Sequence, residues 1–348
     1  MNTPAPAVLG NVIAVDNDWV AKGSEEALEP ALPIVDPHHH LWQRPGNDYM
    51  FHDLLADTQT GHNIVATVFV DCHSMYRKAG PAELRCIGET EFANGVAAMS
   101  ASGIYGNLRA CAAIVGHVDL RLGAGAGAVF DAQIAAGNGR FIGIRYQTGL
   151  DKDSGIRPVR TNPTPGLMAD TTWRAGFAEL AKRNLTFDAW AYHPQLAEVG
   201  GLATAFPDTP IILDHVGGPL GYASYASRHD EVFATWKKSM AELARRPNVT
   251  VKVGGLGMAM GWFDFYQQPS PPSSQMLADS FRPWVETCVD LFGADRCMFE
   301  SNFPVDKITS GYGVLWNAFK RLAAKASATE RTALFSGTAA RVYKLALS

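Results

Sequence analysis

His38 and His40, in Ile34-Val-Asp-Pro-His-His-His-Leu-Trp42, are the residues whose types and spacing speak most directly of chemistry. Residues two apart in extended backbone share a face, so these imidazoles can converge on one point while His39 points away. Paired imidazoles at the mouth of a strand begin either a mononuclear metal site or a cationic hydrolytic site. Polar residues also follow later apolar runs: Asp71 and His73, Arg145, Asp188 and His193, Asp214 and His215, Lys252, and Glu300-Ser-Asn-Phe-Pro-Val-Asp306. Any one of them can be a loop residue that satisfies the backbone. As a set behind apolar strands they are costly unless they serve a solvated pocket.

The elements that must carry them show as a rhythm. The short runs 32–35, 64–70, 110–115, 141–146, 185–189, 210–214, 249–253 and 297–300 predict eight strands. Amphipathic stretches at 81–99, 126–136, 171–183, 232–245 and 276–292 predict helices between them, and 313–324 and 329–346 a closing pair. Near-continuous apolar strands alternating with helices imply a parallel sheet covered on both faces. Eight such units imply a single (β/α)8 TIM-type barrel over residues 32–348, with residues 1–31 an N-terminal arm. A doubly wound sheet is the runner-up, but the first βα turn lacks GxGxxG. Chemistry in such a barrel gathers at the C-terminal strand ends, where these polar residues lie.

Composition narrows the partners. The 348 residues are 47% hydrophobic and 18% charged, with a net charge of −4, which gives a large core and no basic field for nucleic acid. No apolar stretch reaches membrane-spanning length, and no leader pattern opens the chain. The 5 scattered cysteines lack a CxxC pair and read as reduced thiols, so the expected compartment is the cytoplasm. The expected partner is a small-molecule substrate, and the Ala- and Gly-rich outer helices are compatible with a homodimer. His52, His62, His117 and His229 are set aside as loop or helix residues.

The segments Asp36-Pro-His-His-His-Leu-Trp42, Gly143-Ile-Arg-Tyr146, Leu213-Asp-His-Val-Gly-Gly-Pro219 and Arg296-Cys-Met-Phe-Glu-Ser-Asn-Phe-Pro304 together resemble the amidohydrolase superfamily, specifically its amidohydrolase-related (amidohydrolase 2) group. That group holds lactonases and non-oxidative decarboxylases. The resemblance implies a distorted barrel, with His38, His40 and His215 matching the family imidazoles and His193 an addition. It also exposes a departure. The family pattern Gly-Ser/Thr-Asp-Trp-Pro, whose Asp is metal ligand and proton acceptor, reads Glu300-Ser-Asn-Phe-Pro304 here. Asn302 cannot accept a proton at neutral pH, which leaves Glu300, two residues back on the same face, or Asp306 as the substitute.

The leading expectation is a hydrolase opening a small sugar or carboxylated lactone with activated water. If one divalent metal (zinc or manganese) is bound, His38 and His40 hold it, with His193 or His215 and Glu300 completing the shell. Without a metal, the imidazoles and Arg145 polarise the carbonyl, and Glu300 or Asp306 activates water. Arg145 also suits a substrate carboxylate. His73, His193, Trp42, Tyr146 and Phe303 are expected to line the substrate pocket, and 258–262 to form a lid. The alternatives are a metal-dependent decarboxylase of a small aromatic or enoic acid, and a non-catalytic barrel that binds a small acid.

Overall fold

The computed structural model describes residues 13–44 and 47–347. Eight strands lie side by side in chain order, all parallel: β1 Pro33–His39, β2 Asn63–Val70, β3 Arg109–Gly116, β4 Phe141–Gln147, β5 Thr186–Trp190, β6 Ile211–Leu213, β7 Val249–Val253 and β8 Cys297–Phe299. Each is followed by a helix: α1 Phe51–Thr58, α2 Ile87–Ala101, α3 Ala126–Gly137, α4 Thr171–Ala181, α5 Leu196–Ala205, α6 His229–Ala244, α7 Ser274–Phe292 and α8 Tyr312–Leu322. The ring closes just past β8, where Asn302 N–H donates to His38 O (2.9 Å) and His40 N–H to Phe303 O (2.8 Å). This is the (β/α)8 barrel.

Side-chain alternation divides each strand between two environments. Outward residues such as Ile144, Phe187, Leu213, Val251 and Phe299 join the main core beneath the helices. Inward residues Val35, Ala66, Val68, Val115, Ile212 and Met298 make an apolar floor, which Ala339 and Tyr343 of the C-terminal segment plug from below. Above that floor the inward positions turn polar. Arg145, Asp188, Lys252 and Glu300 follow it on their strands and are all buried.

Two expectations need adjustment. β1 does not stop at Val35 but runs to His39, and its register against β2 shifts between Asp36 and His39. The shift sets His38 and His40 inward and leaves His39 bonded to Thr67 Oγ1 (2.8 Å) on the outer side. Helices α1 and α5 were not anticipated, being short and, in α5, interrupted by Gly200 and Gly201. Of the arm, residues 1–12 lie outside the described residues. Its remainder is laid along α8, where Leu28 N–H donates to Asn317 Oδ1 (2.8 Å) and Lys320 Nζ to Leu28 O (2.6 Å). Among the described residues no helix is long and apolar enough to cross a membrane.

Candidate active site

Glu300 extends from the end of β8 to the middle of the polar layer. Its Oε1 accepts from His215 Nδ1 (2.8 Å) and from the His215 backbone N–H (3.1 Å), and its Oε2 lies 2.8 Å from His38 Nδ1. His40 Nδ1 faces Val70 O at 2.9 Å. A carbonyl only accepts, so the His40 proton sits on Nδ1. Glu300 assigns the same tautomer to His215 by hydrogen bond, and its Oε2 charge favours it in His38, whose Nδ1 also has Lys252 Nζ at 3.1 Å. Burial holds all three rings well below the usual imidazole range and therefore neutral, His215 at about 3. Three neutral rings then present bare Nε2 atoms. Those of His38 and His40 are 3.3 Å apart. Two lone pairs that close repel each other unless positive charge lies beside them.

Arg145 supplies one such charge, with Nη1 3.2 Å from His38 Nε2. The rest of its fork is spent: Nε donates to Asp71 Oδ1 (2.8 Å) and Nη2 to Asp71 O. The guanidinium holds the Asp71 carboxyl well below the ordinary range despite its burial. On the opposite side, Lys252 Nζ meets Asp188 Oδ2 (2.6 Å), Asp214 Oδ1 (3.2 Å) and His38 Nδ1 (3.1 Å). Tyr343, from the floor, donates to the same Asp188 oxygen (2.8 Å). Lys252 and Asp188 are visible in the sequence as a lysine and an aspartate in apolar strands. Their pairing spans 64 residues and has no sequence signature.

The layer thus sets four carboxyl groups (Asp71, Asp188, Asp214, Glu300) against two fixed cations, Arg145 and Lys252, and burial raises Asp188 to about 6 and Glu300 well above the ordinary carboxylate range. Neither Asp214 oxygen makes a well-directed hydrogen bond, although Lys252 Nζ is close to one of them. A dication beside them would favour their charged forms, and it matches the donor set. His38, Asp214 and His215 each bring one ligand atom within 4.8 Å of the others. The Nε2 separation of His38 and His40 is about what two imidazoles sharing a tetrahedral ion would show. Glu300 and the Val70 carbonyl would then be the groups that orient the ligands from behind. Asp214 takes the carboxylate place in this set, and Glu300 stands behind it.

The other candidates separate clearly. Asp306 accepts from Asn302 Nδ2 (2.7 Å) and from Gly257 N–H (2.8 Å), tying the β7 and β8 loops together, with burial raising its carboxyl to about 8. Neither Asp306 nor Asn302 hydrogen-bonds to an imidazole, and of the two candidate carboxylates only Glu300 meets the rings. His193 lies in a turn at 193–195, accepts from Leu220 N–H (3.3 Å) and packs on Tyr225, apart from the other imidazoles. Tyr146, next to inward Arg145, necessarily faces outward; it packs on Trp173 and donates to Asp119 (3.1 Å). Phe303 packs on Tyr312. Trp42 does border the site, stacked on His40 with ring centroids 5.7 Å apart.

His73, its side chain 24% exposed, lies 3.4 Å from Asp71 Oδ2. His117, set aside on sequence, joins these two in a second compact group. The segment 258–262 is fastened to the β6 loop, where Gly221 N–H donates to Met260 O (2.8 Å). Gly255, at φ 68°, backs directly onto the His215 ring, and a Cβ there would collide with Nδ1 and Cγ. Glycine at 255 is what lets His215 reach Glu300.

A barrel with histidines, an arginine and carboxylates gathered at its C-terminal mouth defines a hydrolase of the amidohydrolase type. The chain belongs to the amidohydrolase family, whose model matches residues 35–345. It is 34% identical over 336 residues to the uncharacterized protein y4mH of Sinorhizobium fredii, covering 90% of this chain and 99% of the relative. It is 29% identical over 240 residues to an L-fucono-1,5-lactonase of Burkholderia multivorans, covering 67% and 72%. A crystal structure of an amidohydrolase from Burkholderia multivorans with bound zinc superposes with a TM-score of 0.67 at 25% identity, covering 90% of this chain and 99% of that one.

Proposed function

We propose that this barrel hydrolyses a small lactone, with His215 Nε2 taking the proton of the attacking water. The observation that carries this reading is the Glu300 carboxyl set between two imidazoles, accepting from His215 Nδ1 and lying 2.8 Å from His38 Nδ1. A carboxylate in that position fixes the ring tautomer and stabilises the imidazolium that forms on proton abstraction. Glu300 is therefore a positioning residue that acts through His215 and His38. Among the described residues, His215 Nε2 has no hydrogen-bond partner, whereas His38 Nε2 already faces Arg145 and His40. Water adds to the lactone carbonyl. Arg145 Nη1, beside the negative charge developing on the carbonyl oxygen, stabilises it. The acyl–oxygen bond then breaks, and the ring oxygen leaves as an alcohol with the proton returned by His215. A divalent cation held by His38 and Asp214, with His40 Nε2 beside His38, would supply Lewis acidity toward the same carbonyl and leave His215 Nε2 free as the base. The lactonase name carried by a relative at 29% identity agrees with this reaction class.

The test is base uptake at constant pH during lactone opening by the wild type and by His215→Asn. Loss of a positioned general base lowers kcat by about 10²–10⁴-fold, with substrate affinity largely kept. Equal kcat in the two proteins would remove His215 from the mechanism.

A further inference from the structure

Arg145 has little left to offer a substrate carboxylate, because Asp71 occupies most of its fork. One residue further along the chain, the carbonyl of Cys72 receives two other guanidinium groups. Arg44 Nη2 donates to it at 3.0 Å from the β1–α1 loop, and Arg160 Nη1 at 2.8 Å from the β4–α4 loop. Neither arginine forms an ion pair among the described residues. Arg44 also lies over the Trp42 ring, its Cζ 3.8 Å from the centroid, and Trp42 in turn stacks on His40. The pair therefore stands at the rim of the site, one aromatic ring away from the imidazoles.

Two like charges sharing one neutral acceptor repel each other, and both keep most of their N–H donors unused. Burial and the Arg160 charge together lower the pKa of Arg44 to about 10. Glu89 lies below this rim and does not neutralise it by contact, since its Oε1 accepts from the Cys72 and Ser74 N–H groups (2.9 and 2.8 Å). A carboxylate placed across the two forks would relieve the repulsion and take up paired, charge-assisted hydrogen bonds.

The geometry points to Arg44 and Arg160 as the subsite for a carboxylate carried by the substrate away from the bond that is cleaved. The substrate class is then a lactone bearing a free carboxylate, an assignment that rests on the lactone reading above. Its opened product carries two carboxylates, one made by the reaction and one held at the rim throughout.

The experiment is calorimetric binding of hydroxyglutarate, the opened form of γ-carboxy-γ-butyrolactone, against hydroxyvalerate, the opened form of γ-valerolactone. The wild type, Arg44→Gln and Arg160→Gln are compared. The expected result is wild-type preference for hydroxyglutarate, lowered at least about tenfold in each variant with hydroxyvalerate unchanged. The Arg160 side chain is exposed, so its variant keeps the test valid even where Arg44→Gln fails to fold. Equal affinity for the two acids in the wild type, or an undiminished preference in Arg160→Gln, would overturn the assignment. So would inorganic phosphate binding as tightly as hydroxyglutarate. Ring opening is scored separately with the two lactones. A protein that shows the preference but opens neither lactone supports the arginine subsite and removes only the lactone chemistry.

Discussion

Glu300→Gln is expected to lower kcat by about 10³–10⁴-fold, the scale seen when a carboxylate that fixes an imidazole tautomer becomes an amide. Glu300 Oε1 now accepts from His215 Nδ1 at 2.8 Å, and Oε2 lies 2.8 Å from His38 Nδ1 without a well-directed hydrogen bond. A glutamine has one accepting oxygen, so its NH2 end must face the other ring. That ring switches its proton to Nε2, and its lone pair is withdrawn from the mouth of the barrel. The substitution is nearly isosteric and leaves the His215 backbone N–H with a potential acceptor, so the fold survives. Nitrogen-15 spectra of the imidazoles separate this effect from a packing defect. The wild type should show Nδ1–H on His38, His40 and His215, and the variant should show one ring changed. A variant with wild-type kcat would contradict the tautomer assignment.

Lys252→Met should cost about 3–5 kcal/mol of stability, measured by urea unfolding, because it strands buried Asp188 and Asp214 without their cation. The loss should also depend on pH. Burial already raises the Asp188 carboxyl to about 6 with Lys252 in place, and removing the ammonium raises it further. A carboxyl raised in the folded state holds its proton where the unfolded chain has lost it. Its contribution therefore falls as pH rises from the ordinary carboxylate value through the folded one. The variant should lie closer to wild type at pH 5 than at pH 8. Lys252→Met/Asp188→Asn should recover part of the loss at the higher pH. A single variant equally destabilised at both pH values would place the cost in packing instead of charge.

The strands were legible because each is a near-continuous apolar run, and the barrel followed from their number and alternation with helices. The end of β1 was hidden because Pro37 and three histidines do not read as strand, although β1 carries His38 itself. Period-two spacing was enough to pair His38 with His40. It was not enough for His193, because Pro194 turns the chain after β5 into a short helical turn and aims the ring elsewhere. Tyr146 shows the cost of reading a strand end by residue type alone: inward Arg145 fixes its neighbour outward. Between Glu300 and Asp306, sequence offered two carboxylates. Alternation along β8 selects Glu300, whereas Asp306 lies past the strand, bonded to Asn302 and Gly257. The Lys252–Asp188–Asp214 group joins three strands, and nothing local in any of them announces it.

The most direct test of the central claim is the fate of oxygen-18 from labelled water during turnover of γ-carboxy-γ-butyrolactone by the wild-type protein. Attack of water on the carbonyl with acyl–oxygen cleavage predicts one labelled oxygen in the newly formed carboxylate and none in the hydroxyl. An unopened lactone, label in the hydroxyl, or release of carbon dioxide from the substrate would contradict it.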